Sequence, residues 1–417
     1  MALLRQEPGL RERERPDQRM RVLILHNRYL VPGGEDGAVA DDMALLKEHG
    51  HQVELLERNN QEVEQIGRAR TALNTVWSQD SYGRVTQSLQ AGDFDILHVH
   101  NLFPLWSPSV YYAAARVGVP VVQTLHNYRL MCVNALLFRD GHICEDCLGK
   151  TFAWPGIAHG CYRESRSGSA IVASMAGMHR LISTWTKKVT MYIAVSEFAR
   201  KKYIEAGLPS EKIVVKPNFV YPSPAPGLGG GGYALYVGRL SAEKGIATML
   251  RAWDSSKRAL PLKIVGDGPL TDLVTASAQE NALLEYLGRK SSEEVLQLMR
   301  EAEFLVFPSE LYETMGRTVL EALAVGTPVV TSALGERAAV VVPGKTGFHF
   351  PAGDVMALRE RVEWCSQNLP QVRSLRNAAR RMFEQKFPGP QNLALLLSIY
   401  HQAQQQHRRA AMATYKQ

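Results

Sequence analysis

The stretch Phe307-Pro-Ser-Glu-Leu-Tyr-Glu-Thr-Met-Gly-Arg-Thr-Val-Leu-Glu-Ala-Leu-Ala-Val-Gly-Thr-Pro-Val-Val330 decides how this chain is read. It continues an apolar run, Phe304-Leu-Val-Phe307, that has the length of a buried strand, and Pro308 ends that run. Val319, Leu320 and Leu323 then fall on one face of a helix, Gly326 stops it, and Pro328-Val329-Val330 opens the next strand. Strand, loop, helix and strand form the repeating unit of a parallel α/β sheet. Glu313 lies in the loop and Glu321 in the helix, with seven residues between them. The N–H groups of residues 315–318 sit where the helix begins, a place suited to an anion. By themselves the two glutamates fit an ordinary helix end, a paired acid and base, or a clamp on a ligand.

Working outward, the chain has 417 residues, enough for two domains, and 45% of them are hydrophobic, enough for packed cores. A formal net charge of +7 is mild for this length, and no aromatic-and-basic repeat points to nucleic acid. Residues 1–19 are charge-rich and read as a disordered tail with no signal peptide. The longest apolar candidate, residues 169–184, is interrupted by His179-Arg180, so no bilayer span is expected. Five cysteines fit a reducing compartment better than a disulfide scaffold. The expectation is a cytoplasmic protein.

In the first half, Arg21-Val-Leu-Ile-Leu-His26 reads as a strand, followed by Pro32-Gly33-Gly34-Glu35-Asp36-Gly37 and a helix carrying Val39, Met43 and Leu46. Paired glycines between strand and helix let a ligand approach the backbone, or form a plain turn. They are not the G-x-G-x-x-G of dinucleotide binding, so a nicotinamide enzyme loses its main support. Further strands are Val53-Glu-Leu-Leu56, Asp95-Ile-Leu-His-Val-His100 and Val119-Pro-Val-Val-Gln-Thr-Leu-His126. Ligands collect at the carboxyl ends of parallel strands. The glycine loop, His100-Asn101 and His126-Asn127 are therefore brought to one edge. Met191-Tyr-Ile-Ala-Val195 and Ile213-Val-Val-Lys216 complete a first domain over residues 20–217.

An insertion over residues 128–167 interrupts that domain with the spacing Cys132-x11-Cys144-x2-Cys147-x13-Cys161. Four thiolates with one C-x-x-C pair suit a structural tetrahedral zinc, and a long irregular loop benefits from such a staple. Packed reduced thiols and a redox pair are the other readings. Residues 168–188 read as one helix, with Ile171, Met175, Ile182 and Trp185 at near-helical spacing and Arg180, Lys187 and Lys188 toward one end. Core packing explains it, and so does a helix lying on a membrane surface.

Residues 218–232, Pro- and Gly-rich, read as a linker and hinge to a second domain over residues 233–390. Tyr233-Ala-Leu-Tyr-Val-Gly238 is its first strand, and Gly238-Arg-Leu-Ser-Ala-Glu-Lys-Gly245 follows. Arg239 and Lys244 just after a strand can neutralise a diphosphate. Leu262-Lys-Ile-Val-Gly-Asp-Gly-Pro269 is a strand with a tight turn, and Leu284-Glu-Tyr-Leu-Gly288 is another strand. The segments Val342-Pro-Gly-Lys-Thr-Gly-Phe348 and Pro351-Ala-Gly-Asp354 read as turns, and the remainder as helices.

The string Gly-Arg-Leu-Ser-x-Glu-Lys-Gly, together with Glu313 and Glu321, resembles the retaining nucleotide-sugar glycosyltransferases of family 4 (group 1). Their GT-B fold sets two Rossmann-like domains around a cleft. The resemblance implies a sugar transferred from a nucleotide-sugar donor to a saccharide or lipid-linked acceptor, with retention of configuration. It implies a place in polysaccharide or glycolipid synthesis, and peripheral contact with the inner face of a membrane. It assigns Arg239 and Lys244 to the diphosphate, and Glu321 to the donor ribose. Glu313 falls beside the donor sugar, and His126 beside the reacting centre. Gly34, Gly266, Gly268, Met315, Gly316, Arg317 and Thr318 complete the donor contacts, while Gly33, His100 and Asn127 face the acceptor. Met315 stands where many members have Phe before the glycine, keeping volume and apolar character. No convincing Asp-x-Asp metal motif accompanies these residues, so no catalytic cofactor is expected and the cations take that part. In this fold the last helix, here residues 391–417, crosses back to the first domain. The competing readings are a nucleotide-sugar epimerase of the same fold and a non-catalytic, zinc-stabilised interaction protein. Epimerases lack the Arg-Leu-Ser-x-Glu-Lys-Gly string, and intact Arg239, Lys244, Glu313 and Glu321 speak against a degenerate site.

Overall fold

The structure, a computed structural model, describes residues 19–30, 33–254, 256 and 258–415. Residues 1–18 of the expected tail lie outside the described residues. Two six-stranded sheets, each wholly parallel, carry the fold. The first holds β1 (Arg21–Arg28), β2 (Gln52–Asn59), β3 (Ile96–Val99), β4 (Val121–Leu125), β5 (Met191–Ala194) and β6 (Ile213–Val215). Their order is β2-β1-β3-β4-β5-β6. The second holds β7 (Ala234–Val237), β8 (Leu262–Val265), β9 (Leu284–Gly288), β10 (Phe304–Phe307), β11 (Val329–Ser332) and β12 (Gly347–Phe350), in the order β9-β8-β7-β10-β11-β12.

The strands are apolar along their whole length because helices cover both faces. Alternation still sorts the side chains. Leu23 and Leu25 of β1 join Leu97 and Val99 in one core, while Val22 and Ile24 join Ile96 and Val122 in the opposite one. Each such buried side chain contributes roughly 1.5–3 kcal/mol relative to exposure.

Four helices position the candidate site and its surroundings: α1 (Gly34–Glu48), α2 (Arg166–Leu181), α3 (Arg317–Ala324) and α4 (Gly389–Tyr415). The apolar side chains read from the helix after Gly316, Val319, Leu320 and Leu323, are all buried on the second sheet. Leu393, Leu396, Ile399 and Tyr400 of α4 cover the first sheet, packing with Val22, Ile24, Val122 and Met191.

Four local details differ from the sequence reading. α1 starts at Gly34, inside the glycine loop, because the Asp36 carboxylate accepts the Gly33 N–H at 2.7 Å and so closes the first turn. The stretch 168–188 is two helices, since Ser183 adopts a left-handed φ of 60° between α2 and the short helix Thr184–Lys187. The turn at 342–348 leads into an additional edge strand, β12, whose Gly347 lies so close to β11 that a Cβ would come within 2.0 Å of the Val329 carbonyl oxygen. The linker glycines are docked rather than loose: Gly227, Gly229 and Gly231 donate N–H to the carbonyls of Val325, Arg300 and Glu301 at 2.8–2.9 Å.

Candidate functional site

In an open parallel sheet a ligand crevice forms where the chain's strand order reverses. In the second sheet that point lies between β7 and β10. The loops leaving these two strands bring Lys244 and Glu313 together, Nζ to Oε1 2.5 Å. The Ser309 hydroxyl donates to the same oxygen at 2.9 Å. Burial pushes the Glu313 carboxyl up, but Lys244 and Arg337 outweigh it and hold the group below its ordinary range, so it is an anion. Gly245 makes the approach feasible, because a Cβ there would meet the Pro308 carbonyl oxygen at 2.1 Å.

Nothing in its sequence context singles out Arg337. Fully buried, it donates to the carbonyls of Ser309 and Leu311 and to the Ser332 hydroxyl, at 2.9–3.3 Å. It therefore braces the loop that carries Glu313. Burial lowers its pKa to about 10, which still leaves it charged.

Gly316 has a left-handed φ of 74° at the start of α3, and Met315 is buried beneath the turn. The first N–H groups of α3, from Arg317 and Thr318 onward, are those a helix cannot satisfy internally. Gly266 and Gly268 are needed for backbone contact. A Cβ at Gly266 would meet the Gly238 carbonyl oxygen at 1.9 Å, and one at Gly268 the Leu240 oxygen at 2.4 Å. Their turn thereby abuts the one leading to Arg239, whose side chain is exposed.

The first sheet reverses between β1 and β3, and its edge faces this loop. The Thr314 hydroxyl donates to the His126 carbonyl at 2.8 Å, and the Ser196 hydroxyl donates to the Thr314 carbonyl at 2.6 Å. Arg317 reaches furthest across. Its Nη1 lies 2.5 Å from Asp41 of α1, and its Nε lies 2.9 Å from Glu321. Cβ atoms added at Gly34 and Gly37 would stand 3.3 Å and 2.9 Å from the Arg317 side chain. The glycines read as room for a ligand thus also give room to this arginine. Glu321 is not idle either, since it shares Arg317 with Asp41. Burial raises both carboxyls despite that guanidinium, Asp41 to about 6.

His126 and His100 come together, Nε2 to Nδ1 2.9 Å, with their rings stacked. His98 continues the cluster, held between Tyr400 of α4 and Thr124 at 2.8 Å each. Burial, then the neighbouring His26 and Lys216, depresses His126 to about 3, so it is a neutral imidazole. Behind it is a cavity of about 40 Å³ bordered by His100, Gln123 and Thr124, large enough to hold water. Gly33 and Asn127 sit beside Glu35, whose Oε2 accepts from the Tyr29 hydroxyl at 2.9 Å. The other oxygen, Oε1, is buried with no partner, and burial raises this carboxyl to about 7. Sequence reasoning misses Glu35, Asp41 and Arg337 alike. Each is a charged residue whose importance comes from what a distant element places over it.

The cysteines of the insertion are all free thiols, gathered around Cys147 at the foot of α2. Among the described residues no three of these sulfurs lie within 4.8 Å of one another. No helix among those residues is long and apolar enough to cross a membrane.

Two Rossmann-like sheets whose switch points face each other across one cleft define the GT-B class of folds. Solved structures of low identity share this fold. The Anabaena HepE protein in complex with UDP and glucose aligns over 91% of this chain and 99% of its own, with a TM-score of 0.62 and 19% identity. Sucrose-phosphate synthase from Thermosynechococcus elongatus aligns over 95% and 100%, with a TM-score of 0.64 and 16% identity. The model described as "Glycosyltransferase Family 4" matches residues 43–223, and that described as "Glycosyl transferases group 1" matches residues 227–382. Together they take in most of the chain, which belongs to this glycosyltransferase family. Among curated relatives, a glycogen synthase of Mycobacterium tuberculosis is 33% identical over 37% of this chain, a match that spans only 38% of that protein's length. A phosphatidyl-myo-inositol mannosyltransferase of Mycobacterium leprae is 28% identical over 82% of this chain and 86% of its own.

Proposed function

We propose that this protein transfers a sugar from a nucleotide-sugar donor to a saccharide or lipid-linked acceptor, with retention at the anomeric carbon. The observation that carries the reading is the Lys244–Glu313 pair at the switch point of the second sheet, 2.5 Å apart and covered by the first domain. A cation and an anion so placed suit the two ends of a sugar diphosphate. Lys244 and Arg239, with the N-terminus of α3, meet the charge that grows on the departing diphosphate. Glu313 accepts hydrogen bonds from the sugar hydroxyls, and Glu321 from the ribose.

The bond from C1 to the diphosphate oxygen breaks with its electrons going to that oxygen. The acceptor hydroxyl then bonds to C1 on the same face, and its proton passes to the leaving phosphate. No protein nucleophile is needed. The transition state resembles an oxocarbenium ion, and the neutral His126 borders it without adding a competing positive charge. On the acceptor side, the unpartnered Oε1 of Glu35 suits a sugar hydroxyl, with Gly33, His100 and Asn127 around it. The donor class is supported by the HepE protein, whose structure of the same fold was solved in complex with UDP and glucose.

A lipid-linked acceptor is supported by exposed apolar side chains on α2 and on the segments around it, Leu73, Trp77, Trp154, Met178, Leu181 and Ile182. The exposed Lys150 lies over the Trp154 ring, and its carbonyl accepts from Arg180 of α2. Such a face suits the interface of an anionic bilayer.

The test is a panel of UDP-, GDP- and ADP-sugars, screened by thermal shift and then by transfer. A matching donor should raise Tm, and Lys244→Ala and Glu321→Ala should abolish transfer while circular dichroism stays unchanged. Normal transfer rates in both variants would overturn the proposal.

A further inference from the structure

The insertion between β4 and α2 has almost no core of its own. Its apolar cluster consists of Val133, Cys147, Ala153, Val172 and Ala173, two of them supplied by α2. Its first part is anchored by Tyr128, Leu130, Met131 and Leu137 in the main core of the first domain, but the part that carries Cys144, Cys147 and Cys161 has little burial to offset its ordering entropy. Yet its backbone is folded around the four thiols. Cys132 closes a turn on the Tyr128 carbonyl at 2.8 Å, Cys144 leaves the hairpin Phe138–Arg139/His142–Ile143 by bonding to the Leu137 carbonyl at 2.9 Å, and Cys161 bonds to the Gly156 carbonyl at 3.0 Å. The cysteines, up to 29 residues apart in sequence, are thereby brought into one neighbourhood around Cys147, with the Cys132 thiol donating to Asn134 Oδ1 at 2.9 Å.

Donor groups also lie against the sulfurs. The Asp146 N–H donates to the Cys144 sulfur, and the Gly156 N–H donates to the Cys147 sulfur. Gly156 has to be glycine for this, since its Cβ would lie 2.6 Å from the Val133 side chain. The Arg139 guanidinium, 3.1 Å from Asp146, also hydrogen-bonds Cys161 and faces Cys144. N–H···S donors and a guanidinium are what a metal carrying four thiolates, with a net charge of −2, needs around it.

We propose that Cys132, Cys144, Cys147 and Cys161 bind one structural zinc ion. Tetrahedral Zn–S bonds of about 2.3 Å place the sulfurs about 3.8 Å apart. The thiols would close inward from their present separation, and the four protons leave to solvent as the Zn–S bonds form. Cys132 is six residues beyond His126, and Trp154 lies between Cys147 and Cys161. The ion would tie the exposed apolar face to the strand end that carries the candidate catalytic histidine. It would act by positioning and touch no substrate.

The experiment uses the full chain, purified under reducing conditions without a metal-chelating tag. Elemental analysis should find one zinc per chain, released when a mercurial titrates the thiols. Exchange with Co²⁺ should give the visible absorption of a tetrahedral cobalt thiolate. Cys144→Ser and Cys147→Ser should lose the metal, while Cys365→Ser, in the core of the other domain, should keep it. If the two variants fail to fold, the wild-type mercurial and cobalt measurements still decide. Folded wild-type protein without zinc that takes up no cobalt would overturn the proposal. So would zinc that persists in both variants.

Discussion

Arg317 crosses from the second domain to Asp41 of the first, and Asp41→Asn tests whether that contact holds the cleft closed. The pair is 2.5 Å apart, with side chains 16% and 7% exposed. Unit charges about 4 Å apart at an effective dielectric of about 20 attract by roughly 4 kcal/mol, before desolvation. Removing one partner of a buried pair costs about 3–5 kcal/mol. Arg317 keeps Glu321 at 2.9 Å, so the cation is not stranded. We therefore take about 1.5–3 kcal/mol for the lost contact. At 1.4 kcal/mol per factor of ten, the closed-to-open ratio should fall roughly 10- to 150-fold. Single-molecule energy transfer between dyes on the two domains reads that ratio directly. If closure completes the donor site, the apparent donor affinity should weaken in the same proportion. A double-mutant cycle with Arg317→Met should show coupling of at least about 1 kcal/mol in closure. Unchanged closure in Asp41→Asn, or strict additivity in the cycle, would rule out this contact as the latch.

Three other outcomes are expected. Arg337→Met should lower stability by about 1.5–3 kcal/mol by removing the charged hydrogen bonds to the Ser309 and Leu311 carbonyls, which keep only the Ser332 hydroxyl and the Glu313 N–H, and it should slow transfer by loosening the Glu313 loop; a melt within experimental error of wild type would count against it. His98 is held well below its ordinary value of 6.5 by burial, so the unfolded state binds one more proton below that pH. Its contribution is complete above pH 6.5 and is lost as the pH falls, by up to about 1.4 kcal/mol per pH unit. Glu35 and Asp41, both raised, act with the opposite sign, so the comparison is made between wild type and His98→Gln, whose stability should depend less steeply on pH between about 5 and 6.5; identical slopes would contradict it. Leu181→Asp with Ile182→Ser should abolish sedimentation with anionic vesicles and leave transfer to a soluble acceptor unchanged, whereas undiminished binding would remove the membrane contact.

Much of the fold was legible because parallel strands leave continuous apolar runs. Arg21-Val-Leu-Ile-Leu-His26 and Phe304-Leu-Val-Phe307 are strands nearly as read. β12 was not legible, because two of its four residues are the polar or flexible Gly347 and His349 and its position comes from pairing with β11. In the candidate site, a local string was enough to single out Lys244, Arg239 and Glu313. Asp41 and Glu35 could not be found that way, since their neighbours are Arg317, 276 residues away, and the fold around Tyr29 and Asn127. The linker misleads in another way: its glycines read as freedom, but Gly227 is tightly packed, its Cβ position being 2.4 Å from the Arg300 backbone. Composition does not distinguish a glycine that must bend from one that must fit.

The covering of the first sheet by α4 bears on how the polypeptide matures. One face of that sheet, with Val22, Ile24, Ile96 and Met191, is sealed by Leu393, Leu396, Ile399 and Tyr400, which follow the whole second domain in sequence. During synthesis, at about 5–20 residues per second, that face stays open until α4, made after the second sheet, leaves the ribosome. The second domain, made later, can complete its own core before the first has its final layer. Nascent first domains are then the aggregation-prone species, and loss of α4 would leave them so permanently.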